Sequence, residues 1–375
     1  MLSRLGLVTS SIVAGLLALE VVVRLVGAFD RNYLDELVSS RPIEPDRELN
    51  LGDLVRQNAD DSIVYELRPG VQGRFLGMPV VINSLGMRDR ERAPAKGPET
   101  FRVVGLGDSL MFGWGVRQEE TFLALLEKEL NARPPSKAKF EVWNLAVPGY
   151  NSVQEVATFA ARADSIRPDL VIVNWVGNDM DLPNFLAERP DVYSARRSFL
   201  FELMRRRWRA WRGKRVGSST LVPVPFDESS RLPSLTAEEV PARYRPLLGT
   251  ENMLQALDRL ARIARQYGIR PVVLFDWNSP QADPAKAESH YSSRVAVKEW
   301  CAARGYQVVD TEERVLRYLE SHDLDARALW LSSSDPHPSV LRHRLIAEEL
   351  LSSLVRSGVI QGSAPLPVDP PPALH

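Results

Sequence analysis

A chain of 375 residues is long enough for one large α/β domain with extensions, or for two ordinary domains. With 44% hydrophobic and 25% charged residues it has the make-up of a folding globular protein, and a formal net charge of -1 argues against a nucleic-acid binder. Cys301 is the single cysteine, which excludes an intrachain disulfide and a cysteine-rich metal site.

The N-terminus is apolar from Leu5 to Leu19 except for Thr9, Ser10 and Ser11, with Arg4 ahead of it. Glu20 and Arg24 then interrupt, with Val21, Val22 and Val23 between them and Leu25–Phe29 after. A spanning helix needs about 20 mostly apolar residues, and this one reaches that length only by including Glu20. Glu20 and Arg24 are four apart, on one helical face, where they can partly neutralise each other near an interface. Residues 1–29 are therefore expected to be a single-pass signal-anchor, with the remainder of the chain exported to the periplasmic or extracellular side. A cleaved signal peptide is the rival reading, because Val26-Gly27-Ala28 offers a small-residue site. A buried amphipathic helix is the third.

Residues 30–100 form a lead-in with turn signals at Arg68-Pro69-Gly70 and Asn83-Ser84-Leu85-Gly86. Its runs Val71–Phe75 and Pro79–Ile82 predict a small β element. From Phe101 buried strands alternate with amphipathic helices. Strands are predicted at Phe101–Leu106, Phe140–Leu145, Leu170–Val176, Pro271–Trp277 and Gln307–Asp310. Helices are predicted at Glu119–Asn131, Ser152–Ile166, Asn252–Tyr267, His290–Arg304 and Val340–Val355. The first and third strands are continuous apolar runs, as strands buried on both faces are. This alternation predicts an α/β fold, a parallel sheet covered on both sides, over residues 101–360. Residues 180–250 are too long for a simple crossover and read as an insertion. Residues 361–375, rich in proline and nearly uncharged, read as a disordered tail.

Gly105-Leu106-Gly107-Asp108-Ser109-Leu110 follows the first strand, at the edge where open α/β sheets place their sites. A serine in such a turn is either a nucleophile or a helix cap. Asp335-Pro336-His337-Pro338-Ser339 precedes the last helix. A serine hydroxyl attacks only when a base takes its proton, and a neutral imidazole does this near pH 7. A carboxylate must hold that imidazole in the right tautomer, and Asp335, two residues before His337, can do so locally. Capping of the last helix is the competing role for this pair, with Pro338 suited to the first helical position. His290, His322, His343 and His375 fall on helices or tails and lack such a neighbour. Acyl transfer also needs donors for the developing oxyanion. The side-chain amide of Asn178, in Val176-Gly177-Asn178-Asp179, and the N–H of Gly149, in Asn144-Leu145-Ala146-Val147-Pro148-Gly149, are suitable, with the N–H of Ser109 as a third. Each piece alone is also ordinary turn chemistry.

Taken in order, the four blocks Gly107-Asp108-Ser109-Leu110, Gly149, Gly177-Asn178-Asp179 and Asp335 with His337 resemble the SGNH or GDSL hydrolase family. Many members space the last Asp and His three apart, whereas here they are two apart. The resemblance covers about Phe101 to Val355. It implies a three-layer α/β/α sandwich whose five-stranded parallel sheet has the flavodoxin-like order 2-1-3-4-5. It also implies Ser109 as nucleophile and first oxyanion donor, His337 as base, Asp335 as its orienter, and Gly149 and Asn178 as the remaining donors. The upstream Ile82-Asn83-Ser84-Leu85-Gly86-Met87-Arg88 is similar to the lead-in of a bacterial, membrane-anchored branch. A turn tying the leading strand to the sheet is the preferred role for it, ahead of substrate contact by Arg88.

The expected activity is serine-dependent ester hydrolysis on an acylated glycan or lipid, with no metal, cofactor or nucleic acid involved. An O-acyltransferase on an exported glycan and a non-catalytic glycan-binding or scaffold protein are the alternatives. Residues 196–215 carry nine basic residues against one acid, Glu202, with Leu200, Leu203, Met204, Trp208 and Trp211 at helical spacing. Such a helix either packs on the domain, faces an anionic glycan, or rests on phospholipid headgroups.

Overall fold

The computed structural model describes residues 2–29, 47–132, 138–187, 198–201, 204, 240–277 and 284–360. Most of the insertion, most of the basic segment 196–215 and all of the tail 361–375 lie outside the described residues. Helix α1 (Leu2–Phe29) opens the chain, and its residues Val8–Leu25 are long and apolar enough to cross a membrane. At about 1.5 Å per residue those 18 residues reach roughly 27 Å, close to the thickness of a hydrocarbon core. Glu20 and Arg24 pair at 2.7 Å, as their spacing predicts. Glu20 also reaches a distant part of the chain. Its carboxylate accepts from the hydroxyl of Ser198 and from the N–H groups of Phe199 (2.9 Å) and Leu200 (2.8 Å), where a helical stretch begins. Arg24 lies 4.8 Å from the centre of the Phe199 ring.

The lead-in forms two small sheets. Strands β1 (Glu48–Leu49), β4 (Gln72–Phe75) and β5 (Met78–Val81) make one, and β2 (Val55–Gln57) with β3 (Tyr65–Leu67) the other, with the single-turn helix α2 (Leu51–Leu54) between β1 and β2. The hairpin β4–β5 stands where the residue pattern put it. Asn83 then builds the predicted turn: its Oδ1 accepts from Leu85 and Met87 N–H, and its amide donates to the Arg90 carbonyl.

The main domain is an α/β structure around an all-parallel sheet. Its strands are β6 (Thr100–Leu106), β7 (Lys139–Asn144), β8 (Leu170–Trp175), β9 (Arg270–Phe275) and β10 (Gln307–Asp310). Their order is β10-β9-β8-β6-β7, which is the expected 2-1-3-4-5. Side chains alternate across the strands. Val103, Leu170, Ile172 and Val272 face one core, with helices α4 (Phe122–Ala132) and α9 (Val340–Arg356), and the lead-in residues Tyr65 and Phe75 join that core. Val104, Val171, Val173 and Val273 face the other, with α5 (Ser152–Ile166), α6 (Thr250–Tyr267) and α7 (Pro284–Ala302). Every residue of β8 is buried, which is why its sequence shows no polar alternation.

Besides a helix α7 that starts at Pro284 instead of His290 and the unexpected pair β2–β3, three details depart from the sequence-based expectation. The helix expected from Glu119 is split into a 3-10 turn, Gln118–Glu120, and α4, because Thr121 caps the N–H of Ala124 with its hydroxyl. Helix α8 (Glu312–Ser321) was not expected; it buries only Val315 and Leu319, too thin a stripe to read. Residues 335–338 are not a loop but strand β12 (Asp335–Pro338), paired antiparallel with β11 (Trp330–Ser332). Ser339 caps α9, so Pro338 ends the strand instead of starting the helix.

Candidate active site

The turn after β6 ends in the single-turn helix α3 (Ser109–Phe112), with Asp108 as its cap. Asp108 Oδ1 accepts from the N–H of Leu110 at 2.9 Å, which fixes Ser109 as the first helical residue. Ser109 Oγ lies 2.9 Å from His337 Nε2, and His337 Nδ1 lies 2.6 Å from Asp335 Oδ1. The same carboxylate oxygen accepts the backbone N–H of His337 at 3.0 Å, so β12 holds acid and imidazole in one rigid extended unit. Burial works to raise the Asp335 carboxyl, but hydrogen bonds from His337 and Trp114 outweigh it and hold it below the usual range. Ser109, Asp335 and His337 are all buried, which strengthens each polar contact among them.

Asn178 sits in a 3-10 turn, Gly177–Met180, that closes β8. Its Nδ2 donates to Asp108 Oδ2 at 3.1 Å, beside Ser109. The turn after β7 joins from the other side, since the N–H of Val147 donates to the Gly107 carbonyl at 3.0 Å. Gly149, two residues on, has φ +78°, and a Cβ there would stand 2.2 Å from Asn184 Nδ2. Only glycine fits that turn. Among the described residues, neither the N–H of Ser109 nor that of Gly149 has a hydrogen-bond acceptor. The sheet order thus gathers Ser109, Asn178 and the Gly149 turn at one edge, and β12 brings His337 and Asp335 to them.

Four residues at this edge were not singled out from sequence. Asp108 braces the serine turn and the Asn178 amide. Trp114 donates its indole N–H to Asp335 Oδ2 at 3.3 Å and stacks on the His337 ring, with centroids 5.0 Å apart and planes 19° apart. Asn184 covers Gly149, and its N–H donates to the Gly149 carbonyl at 3.1 Å. Tyr65 donates to the Pro148 carbonyl at 3.1 Å. The Gly113-Trp114-Gly115 run after the serine was the one readable signal among them. Arg88 is buried and donates to the carbonyls of Phe112 (3.0 Å), Gly113 and Val116, which ties the lead-in to the loop after Ser109 and not to the sheet; burial lowers its guanidinium to about 10. Behind the Asn178 turn, burial pushes the carboxyls of Glu155 and Asp179 well up, and the charge of Asp108 raises both further.

A serine, an imidazole and a carboxylate thus stand in one hydrogen-bonded line at the strand ends of a doubly covered parallel sheet, and the fold is that of an SGNH hydrolase. Residues 106–345 match the GDSL-like lipase/acylhydrolase family, and the chain belongs to it; it is an ester hydrolase. Among solved structures, TesA is 17% identical, with 68% of this chain and 97% of that one covered and a TM-score of 0.40. The psychrotrophic esterase EstA from Pseudoalteromonas sp. is 14% identical, covering 69% and 98%, with a TM-score of 0.40. A catalytic mutant of Axe2, an acetylxylan esterase from Geobacillus stearothermophilus, is 16% identical, covering 70% and 96%, again with a TM-score of 0.40. No curated protein matches the chain.

Proposed function

We propose that this hydrolase cleaves esters through a Ser109–His337–Asp335 triad, on an acylated glycan or lipid presented near a membrane. The observation that carries the reading is the 2.9 Å contact of Ser109 Oγ with His337 Nε2, backed at 2.6 Å by Asp335. Oγ attacks the ester carbonyl while Nε2 takes its proton, and Asp335 stabilises the imidazolium that results. The oxyanion is received by the N–H groups of Ser109 and Gly149 and by the second N–H of the Asn178 amide, whose first is held by Asp108. Collapse breaks the C–O bond of the ester, and the imidazolium returns the proton to the departing alkoxide. Water then gives its proton to His337 and attacks the acyl-enzyme. The second collapse releases the acid and restores the Ser109 hydroxyl. In the same reading α1 is the signal-anchor, the catalytic domain lies on the exported side, and residues 30–100, 101–360 and 361–375 are lead-in, catalytic domain and tail.

The test is covalent. A fluorophosphonate should label the parent at Ser109, and Ser109→Ala should abolish both labelling and turnover of acetylated sugars and short-chain esters. A folded parent that is unlabelled at Ser109, or a Ser109→Ala variant that still turns esters over, overturns the assignment.

A further inference from the structure

Trp114 touches every member of the triad. Its backbone N–H donates to the carbonyl of Ser109 at 3.1 Å, its indole N–H donates to Asp335 Oδ2 at 3.3 Å, and its ring lies on the imidazole of His337. Asp335 Oδ1 is taken by His337 and Oδ2 by Trp114, so the carboxylate cannot turn to exchange its oxygens without losing a buried bond. The stacked ring closes the face toward which the imidazole would otherwise tilt. Trp114 therefore fixes both the plane of the acid and the plane of the base.

What fixes Trp114 comes largely from outside the residues that match the family, 106–345. Phe75, at the end of β4, meets the indole edge to face, with centroids 4.9 Å apart and planes 88° apart. Arg88 gathers the carbonyls of Phe112, Gly113 and Val116, on both sides of the tryptophan. Gly115, at φ +70°, lets the loop pass so close to Leu331 of β11 that a Cβ would stand 2.2 Å from its Cδ2. The lead-in reaches the oxyanion side as well, through Tyr65 and the Pro148 carbonyl.

We infer that Trp114 is a positioning residue for the triad and that the lead-in, through Phe75 and Arg88, is the buttress that makes it one. The lead-in is then part of the catalytic apparatus, not a spacer between membrane and enzyme. This rests on the triad assignment proposed above.

The test uses the full chain in detergent, with kcat, KM and the pH profile of kcat/KM measured on a short-chain ester. Trp114→Phe keeps a stacked ring and removes the indole N–H. It should lower kcat by about 10-fold with KM nearly unchanged. The acid limb of the profile should also move to higher pH, because a carboxylate that has lost a donor stabilises the imidazolium more strongly. A loss of packing alone would not move that limb. Phe75→Leu leaves every triad contact in place, removes the ring behind the indole, and should lower kcat in the same direction by a smaller factor. Unchanged kcat and an unchanged acid limb in either folded variant overturn the inference. Fluorophosphonate labelling of the parent separates the two levels: no labelling at Ser109 refutes the triad itself, whereas labelling with indifferent variants refutes only the role of Trp114.

Discussion

Asp108 Oδ2 accepts the side-chain amide of Asn178 at 3.1 Å, a bond that joins the turn after the first strand of the main sheet to the turn after the third. One N–H of that amide is spent on orientation, and the mechanism proposed above uses the other for the oxyanion. In the proposed mechanism Asp108 positions the donor and Asn178 is the donor. Removing the two should differ in degree. Asn178→Ala is expected to lower kcat by about 100- to 1000-fold with little change in KM. Asp108→Ala should cost less, about 10- to 100-fold, since the amide remains but is free to rotate. Steady-state kinetics on one ester substrate check both. An Asn178→Ala enzyme as fast as the parent removes the residue from the oxyanion hole.

The main sheet was legible because its strands are buried on both faces and its helices on one. Leu170–Trp175 is apolar almost throughout, and α5 starts and ends where its periodicity says it does. The residues proposed as the triad, Ser109, His337 and Asp335, stood out for a different reason: glycine- and proline-bounded turns set a hydroxyl, an imidazole and a carboxylate apart from their surroundings. What stayed hidden acts through contacts that local spacing does not encode. Trp114 and Asp335 are 221 residues apart, and nothing near either predicts the bond between them. Tyr65 and Phe75 look like ordinary strand residues until the fold sets them against the Pro148 turn and the indole. Strand β12 was missed because Asp335-Pro336-His337-Pro338 has a turn composition. Its pairing is with a neighbouring hairpin strand, where prolines are tolerated at an edge.

The interruption of the apolar N-terminal stretch by Glu20 has a partner 178 residues away. A carboxylate in such a helix is costly unless its oxygens are occupied, and here they accept from Arg24, Ser198, Phe199 and Leu200. The N–H groups of Phe199 and Leu200 open a helical stretch, and the Glu20 carboxylate accepts both. Glu20→Leu keeps α1 apolar and removes this contact together with the Arg24 pair. Hydrogen exchange of the amides at Phe199 and Leu200 should then quicken by about 10-fold or more, read by mass spectrometry on the chain in lipid nanodiscs. Identical exchange in parent and variant means that Glu20 does not hold this segment.

His343, on α9, is buried beneath the site and takes no part in it. Its Nδ1 accepts the N–H of Phe122 at 3.3 Å, and its Nε2 has no hydrogen-bond partner among the described residues. Burial, reinforced by the charges of Arg342 and Arg88, lowers the imidazole from 6.5 to about 3. The unfolded chain takes up a proton at this residue below about pH 6.5, while the folded chain refuses one until about pH 3. Stability from this group is therefore complete above pH 6.5 and is lost as the pH falls. The loss amounts to about 2–3 kcal/mol between pH 7 and 4.5. His343→Leu deletes that dependence and leaves the Phe122 N–H without its acceptor, which costs about 1 kcal/mol at pH 7. Urea unfolding of the detergent-solubilised chain should find the variant weaker than the parent at pH 7 and stronger at pH 4.5. Parallel stability curves for the two proteins across that range mean that the imidazole does not stay neutral in the folded state.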